Sequence, residues 1–247
     1  MVQAIDPAFG EKFLASASNF YTYGIDKLFN DWWEHAPADA VAKYVEAIES
    51  HPEQGPLAAA RWYAEPLSLK ALEGHAPGTL GHAYLAFMAD NNLIERLALG
   101  YREFHEELAA SGKLDNLPPV LEYKVLRGFQ THDLHHVLTG CPPTPFGELK
   151  IQAFGLAQMD FPYAAMWIAV VTAHMTLVDP YLIKPAMDAI TEGWSLGRRA
   201  RSIQFVAFEN MLDRPLDEVR REYGLTEGVE SCTATPYERT PELLAAA

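Results

Sequence analysis

The sequence predicts an all-α protein built as a single-domain multi-helix bundle. Apolar residues recur every three to four positions through most of the 247-residue chain, the spacing that places them on one face of a helix. No stretch bounded by turn residues alternates apolar and polar side chains as a strand does, and no Asn-Gly or Asp-Gly dipeptide offers a hairpin turn. Clusters of glycine and proline separate the helical segments, most clearly at 74–78, 115–119 and 140–147.

The helical segments follow one another along the chain up to Leu225. The segment 161–178 carries no charged residue, but it is short for a membrane span and has no basic flanks, so we predict a helix buried on all sides. Periodicity ends after Leu225, which predicts one helical domain over 1–225 and a loosely ordered C-terminal tail over 226–247. Helices are predicted over 13–33, 38–48, 80–88, 93–108, 121–138, 149–157, 161–178, 181–196, 203–212 and 216–223.

Composition and charge exclude several classes of function. Hydrophobic residues make up 49% of the chain, as in globular proteins, and the net charge is −14. A nucleic-acid-binding protein presents a basic surface to phosphates, so we expect no nucleic-acid partner. The two cysteines, Cys141 and Cys232, form no C-x-x-C pair, which excludes a four-cysteine zinc site and indicates a reducing compartment. The N-terminus has acids and no arginine, unlike a signal or transit peptide, so we expect a bacterial-type chain in the cytoplasm.

Candidate metal ligands lie in the run His-Asp-Leu-His-His at 132–136. Residues of a helix are about 100° apart, so His132, His136 and Asp133 fall on one face together with Phe129, which predicts that this face points inward. Two histidines four residues apart can bind one metal ion from a single helix. The proline-rich turn at 140–147 can bring Glu148 back to the same place. This nitrogen and oxygen set suits Zn²⁺ or Fe²⁺, and also Mn²⁺ or Mg²⁺.

Other interpretations of the same residues stay open at this point. Histidines near one another are common on helix surfaces, and Asp133 can simply hydrogen-bond a histidine. A zinc protease is excluded, because its helix carries glutamate after the first histidine where this chain has the shorter Asp133. Nucleotide hydrolases of the HD class also use a His-Asp pair, but two residues do not establish that match.

Three segments together resemble the Coq-four family of ubiquinone biosynthesis proteins, over about residues 55–225. The first is the signature His-Asp-x-x-His followed after eleven residues by Glu, here His132, Asp133, His136 and Glu148. The second is PGTLGHAYLAFM at 77–88, and the third runs from WSLGRRA at 194 to REYGL at 225. All three stand in the family's order and spacing.

The resemblance implies an all-helical protein with an internal apolar cleft or tunnel for a prenyl tail, and one divalent metal, most often zinc, at the signature. It implies a metal-dependent oxidative decarboxylation that exchanges the ring carboxylate of a prenylated hydroxybenzoate for a hydroxyl, with His132 and Asp133 as catalytic residues. The alternative is a non-catalytic scaffold that binds metal and prenyl lipid within the ubiquinone biosynthetic complex. The implied partners are a prenylated quinone precursor, other ubiquinone-biosynthesis enzymes and the inner membrane, contacted peripherally.

Residues that would bind the substrate are less clearly marked. Arg198 and Arg199 belong to the densest basic cluster of the chain and can bind the ring carboxylate. A solvent-exposed helix face, or ion pairs with the segment 209–213, would explain them equally well. Tyr84 and Gln158 lie in segments that the family shares and are further candidates. The chain also departs from the family pattern before His132, where it reads Arg-Gly-Phe-Gln instead of Arg-Tyr-Arg-Glu. Candidates to line the tail cleft, or to be ordinary core, are Phe154, Met159, Met166, Trp167 and the segment 161–178.

An aromatic stripe near the N-terminus is the candidate for membrane contact. Tyrosine and tryptophan favour the membrane interface, but the same stripe can equally form a homodimer surface. Its members are Phe20, Tyr21, Tyr23, Leu28, Phe29, Trp32 and Trp33.

Overall fold

The computed structural model describes residues 4–20, 22–95, 106, 109–110, 112, 114–115 and 117–226. These residues contain eleven α-helices, two short 3-10 helices and no β-strand, which confirms the predicted all-α fold. The predicted helix over 93–108 and the predicted tail lie almost wholly outside the described residues. The α-helices are α1 (Pro7–Ser18), α2 (Ile25–His35), α3 (Ala38–Glu49), α4 (Gln54–Ala60), α5 (Leu69–Glu73), α6 (Leu80–Asp90), α7 (Pro119–Thr139), α8 (Pro145–Gln158), α9 (Pro162–Val178), α10 (Ile183–Arg199) and α11 (Leu216–Tyr223); the 3-10 helices are Pro180–Leu182 and Phe208–Met211.

Capping residues fix the ends of the two helices that matter most for function. Pro119 begins α7, where a missing N–H costs nothing, and Gly140 ends it in the left-handed conformation at φ 73°. Thr144 then caps α8, its hydroxyl accepting a hydrogen bond from the backbone N–H of Gly147. The chain therefore reverses within a few residues, so that the end of α7 faces the start of α8.

Two glycines allow α8 and α10 to pack backbone against backbone. A Cβ on Gly193 would lie 2.2 Å from the carbonyl oxygen of Lys150, and one on Gly197 would lie 2.6 Å from that of Phe154. Both distances are far below van der Waals contact, so no larger residue fits without separating the helices. Since the contact advances by four residues on each helix, α8 and α10 run in the same direction.

Two predicted helices are corrected by the structure. The segment 13–33 is two helices, because Asn19 leaves the helical conformation after α1 and Gly24 starts α2. The segment 203–212 forms no α-helix, only the 3-10 helix Phe208–Met211. Its Phe205 has a left-handed φ of 66°, and the carbonyl of Val206 accepts a hydrogen bond from the buried side chain of Arg127. That carbonyl is thus used in a tertiary contact that competes with helix formation.

The apolar helix α9 is buried on one side, not on all sides as predicted. Val170 and Val171 lie in the core, whereas Leu177 is 77% exposed and Val178 is 65% exposed. No helix among the described residues is long and apolar enough to cross a membrane.

The aromatic stripe proposed for membrane or dimer contact is buried in part. Leu28 is fully buried and Phe29 is 3% exposed, and the Phe29 ring meets that of Tyr163 on α9 edge to face, with centroids 5.4 Å apart. Trp32 packs on Tyr44 in the same manner. Leu28 and Phe29 are therefore not available for membrane or dimer contact, which stays a prediction for the half-buried members Phe20, Tyr23 and Trp32. Tyr21 and the side chain of Trp33 lie outside the described residues.

Candidate metal centre

Helices α7 and α8 bring three of the four predicted ligands together. His132 and His136 stand one turn apart on α7, and Glu148 lies in the first turn of α8. Their ligand atoms all lie within 4.8 Å of one another. The Nε2 atoms of the two histidines are 3.1 Å apart, His136 Nε2 is 3.2 Å from Glu148 Oε1, and His132 Nε2 is 3.4 Å from Glu148 Oε2.

The ring of His136 is held on all sides. Its Nδ1 lies 2.9 Å from the carbonyl oxygen of Cys141, its plane stacks on Phe87 of α6, and its side chain is 1% exposed. Because a carbonyl only accepts, Nδ1 carries a proton, and in the neutral ring Nε2 then presents a lone pair. That lone pair points at His132 Nε2 and at a carboxylate oxygen, so either a second proton or a cation must lie among the three atoms.

The three donor atoms fit a metal ion. Bonds of 2.0–2.1 Å from zinc to histidine nitrogen or carboxylate oxygen place tetrahedral ligand atoms about 3.3 Å apart. The separation of the two nitrogens, 3.1 Å, and the separations of each nitrogen from its own oxygen of Glu148, 3.2 and 3.4 Å, lie close to that value. A hydrogen bond from the second ring nitrogen of a histidine to a carbonyl is also the usual support for a metal ligand, and His136 has one.

The charges at this centre favour an ionised carboxylate. Burial opposes ionisation of Glu148, but hydrogen bonds from His132 and His136 outweigh it and hold the pKa of that carboxyl well below its usual range. Burial lowers the pKa of His132, yet the bond and charge of Glu148 prevail, so that pKa is raised. Glu148 therefore presents two anionic oxygens to the histidines at neutral pH.

Asp133, the fourth predicted ligand, is not a member of this three-residue group. It lies near Tyr84, whose pKa is raised first by burial and then by the charges of Asp133 and Glu209. Phe129 was expected to point inward with the ligands but is 45% exposed. The inward face of α7 is therefore narrower than predicted and excludes the side on which Phe129 lies.

The predicted substrate residues occupy three different environments. Tyr84 is 6% exposed, in the core beside Asp133. Gln158 holds the chain after α10, since its amide donates to the carbonyl of Arg201 and accepts from the N–H of Ile203. This makes Gln158 a structural bridge between two segments.

Arg198 and Arg199 are exposed at the far end of α10. Because α8 and α10 pack in parallel and Gly197 faces Phe154, these arginines lie beside the part of α8 that surrounds Phe154. Glu148 lies six residues before Phe154, about 9 Å along the helix axis. The structure does not bring these arginines to the metal centre.

Two cationic residues of α7 were not predicted as functional residues from the sequence. Arg127, 1% exposed, forms a two-pronged ion pair with Glu209, with nitrogen–oxygen distances of 2.6 and 2.7 Å. Lys124 lies two helical turns before His132 and donates a 2.8 Å hydrogen bond to Gln204. The sequence did contain a signal for them, because both basic residues stand among the apolar positions of the predicted helix 121–138.

Comparison with protein families gives a match over residues 118–228, to the family described as coenzyme Q (ubiquinone) biosynthesis protein Coq4. The mitochondrial ubiquinone biosynthesis protein COQ4 homologue of Danio rerio is 27% identical over 173 residues, 68% of this chain and 57% of that protein. The Bos taurus homologue is 26% identical over 166 residues, with 65% and 56% covered. The COQ4 protein of Yarrowia lipolytica is 23% identical over 173 residues, with 68% and 58% covered.

These matches confirm the family resemblance predicted from the sequence. The aligned part spans little more than half the length of these curated relatives. Among solved structures, a candidate ubiquinone biosynthesis protein from Nostoc punctiforme PCC 73102 shares the fold with a TM-score of 0.65 and 22% identity, over 89% of this chain and 96% of that one. All three residues of the candidate metal centre lie inside the matched region.

Proposed function

From the match of residues 118–228 to the Coq4 family, we propose that this protein acts in ubiquinone biosynthesis. The proposed reaction is the metal-dependent replacement of the ring carboxylate of a prenylated hydroxybenzoate by a hydroxyl group. Carbon dioxide leaves and a hydroxyl group takes its place, which is a two-electron oxidation of the substrate. We propose O₂ as the external oxidant; one water is then consumed and hydrogen peroxide is the second product, so that atoms and electrons balance. The proposed partners are other enzymes of ubiquinone synthesis and a membrane surface that holds the prenylated substrate.

The convergence of His132, His136 and Glu148 is the observation that carries this proposal. These residues would hold one divalent ion, which we take to be zinc, and three protein ligands leave room for a substrate oxygen. When bound, such an ion supplies Lewis acidity that draws electron density from a coordinated oxygen. Zinc itself exchanges no electrons, so the electrons of the reaction would pass directly between substrate and oxidant.

The chain's own residues supply position and charge. His136 is fixed by Cys141 and Phe87 and can turn little during a reaction. Glu148 stays ionised, and the more exposed His132, with 34% of its side chain accessible, lies on the side from which a substrate can approach. Asp133, beside both His132 and the buried Tyr84, remains a predicted catalytic residue, and we propose that it moves a proton.

Gene deletion and complementation in a ubiquinone-producing host test the proposal. We expect the deletion strain to accumulate a carboxylated prenyl intermediate, and expect the wild-type gene and Cys141→Ser to restore ubiquinone while His136→Ala does not. Normal ubiquinone in the deletion strain, in a host without a second decarboxylase, would contradict the proposed role. If a folded, metal-free His136→Ala protein restored ubiquinone, the enzyme proposal would give way to the alternative, a scaffold that binds lipid and partner proteins.

A further inference from the structure

Lys124 of α7 is a half-buried cation without a carboxylate partner among the described residues. Its ammonium donates to the amide oxygen of Gln204 at 2.8 Å and lies over the rings of Phe161 and Phe205, at 5.5 and 5.9 Å from their centroids. Burial, and next the charge of Arg127, lowers the pKa of Lys124 to about 8. In a chain of net charge −14, such a placement is costly unless it has a use.

The lack of a side chain at Gly128 leaves room for this amine to extend toward the metal centre. Lys124, Gly128 and His132 are spaced by four residues, so each is turned by about 40° from the one before and the three lie on one side of α7. A Cβ on Gly128 would lie 3.5 Å from the Nζ of Lys124, so the amine extends along the helix to the level of Gly128. From there His132 is one helical turn away, about 6 Å along the axis.

His135 adds an unsatisfied polar atom on the same side of α7. It is 7% exposed, and its Nε2 has no hydrogen-bond partner. Eleven residues after Lys124, it projects within about 20° of the same direction. A half-buried donor and a buried unsatisfied ring nitrogen thus lie beside the metal centre, a combination that a polar ligand would satisfy.

We propose that Lys124 binds the ring oxygen of the aromatic substrate that lies opposite the carboxylate, while the carboxylate is held at His132, His136 and Glu148. The amine and the ligand His132 are separated by about one helical turn along α7 and by about 80° around it, which leaves room for a benzene ring that carries an oxygen-bearing group at each end. The ammonium of Lys124 donates a hydrogen bond to the phenol oxygen and stabilises its phenolate form, so the phenol releases its proton to solvent and an ammonium–phenolate pair remains. Electron release from the phenolate enriches the ring carbon opposite it, the carbon at which carboxylate is exchanged for hydroxyl. This assignment rests on the proposed function and names the residue that orients its substrate.

Binding of 3-geranyl-4-hydroxybenzoate and of 3-geranylbenzoate to the zinc-loaded full chain tests the proposal by calorimetry. The two probes share the carboxylate and the tail and differ only in the ring hydroxyl. The wild type should prefer the hydroxylated probe about tenfold or more, as a hydrogen bond to a charged group allows. Lys124→Met should bind both probes equally with unchanged zinc content, and Lys124→Arg should keep part of the preference. Lys70→Met, which removes an exposed lysine of α5, is the matched control and should behave as the wild type.

Absorbance gives a second readout, because the ionised ring absorbs at longer wavelength than the neutral phenol. The probe bound at neutral pH should show the phenolate band with the wild type and lose it with Lys124→Met. The proposal is overturned if the wild type and Lys124→Met show the same preference, or if neither of them discriminates between the probes. It is also overturned if Lys124→Met loses binding of both probes, because that result would assign Lys124 to the carboxylate. A Lys124-dependent preference in a protein that fails the complementation test would overturn the proposed function alone.

Discussion

At the scale of single residues, His136 shows how a buried histidine becomes a candidate ligand. Its Nδ1 is occupied by the carbonyl of Cys141, so its Nε2 alone can serve a metal, and that atom points at Glu148. The contact with Cys141 is made through the backbone, not through the thiol.

Metal content measures the contribution of each of these residues. His136→Ala and Glu148→Ala should each lose most of the bound divalent ion, because two remaining protein ligands hold zinc poorly. Cys141→Ser should keep the ion, since the backbone carbonyl that orients His136 is unchanged. Metal analysis after dialysis against a weak chelator gives the result, and full occupancy in both alanine variants would refute the site.

At the scale of elements, the glycine contact between α8 and α10 sets the position of Glu148. Gly193 lies against Lys150, only two residues beyond Glu148, so any separation of the helices there also moves the carboxylate. By contrast, Gly155 lies on a part of α8 where a Cβ would meet nothing within 4 Å. The same residue type therefore has opposite consequences at two positions.

Alanine substitutions at these two glycines should change stability in opposite directions. Gly193→Ala places a methyl group against a backbone carbonyl and should lower the free energy of unfolding by about 1–3 kcal/mol. Gly155→Ala replaces glycine within a helix without a clash and should raise it by about 0.5–1 kcal/mol. Urea denaturation of the metal-free proteins measures both, and destabilisation by Gly155→Ala as large as that by Gly193→Ala would show that the packing argument fails.

At the scale of the whole molecule, Arg127 joins segments that are far apart in the chain. Its guanidinium pairs with Glu209, donates to the carbonyl of Val206 and lies over the ring of Trp62 at 5.1 Å from the centroid. Gln130, which also accepts from Arg127, exchanges two hydrogen bonds with the backbone of Ala64. One side chain thus ties α7 to the chain before α5 and to the segment after α10.

Removing the buried carboxylate should be costly. Glu209→Gln leaves the Arg127 charge without its counter-ion and should lower the free energy of unfolding by about 3–5 kcal/mol. The control is Asp39→Asn, which breaks the exposed pair with Lys43 on α3 and should cost less than about 1 kcal/mol. Chemical denaturation near neutral pH compares the two, and similar losses would contradict a central role for the buried pair.

Local sequence pattern predicted most of the helices, although not α4 or α5, and it named the three residues of the candidate site. Helical periodicity is a property of neighbouring residues, so α3, α6, α7, α8 and α11 could be predicted, together with the one-turn spacing of His132 and His136. The glycine and proline residues of 140–147 also marked the reversal that leads to Glu148. These features need no knowledge of what lies across the bundle.

Contacts between distant segments decided the rest. Arg127 binds the backbone at Val206, in the segment 203–212 where a helix was predicted. The neighbours of α9 cover only one of its sides, and Arg198 and Arg199 project into solvent, away from the ligands. Phe129 shares the helical angle of the ligands yet is exposed, because an angle fixes direction on a helix but not what packs there. The sequence alone determines which side of α7 carries His132 and His136, whereas only tertiary packing decides that Glu148 meets them and that Lys124 lies beside them.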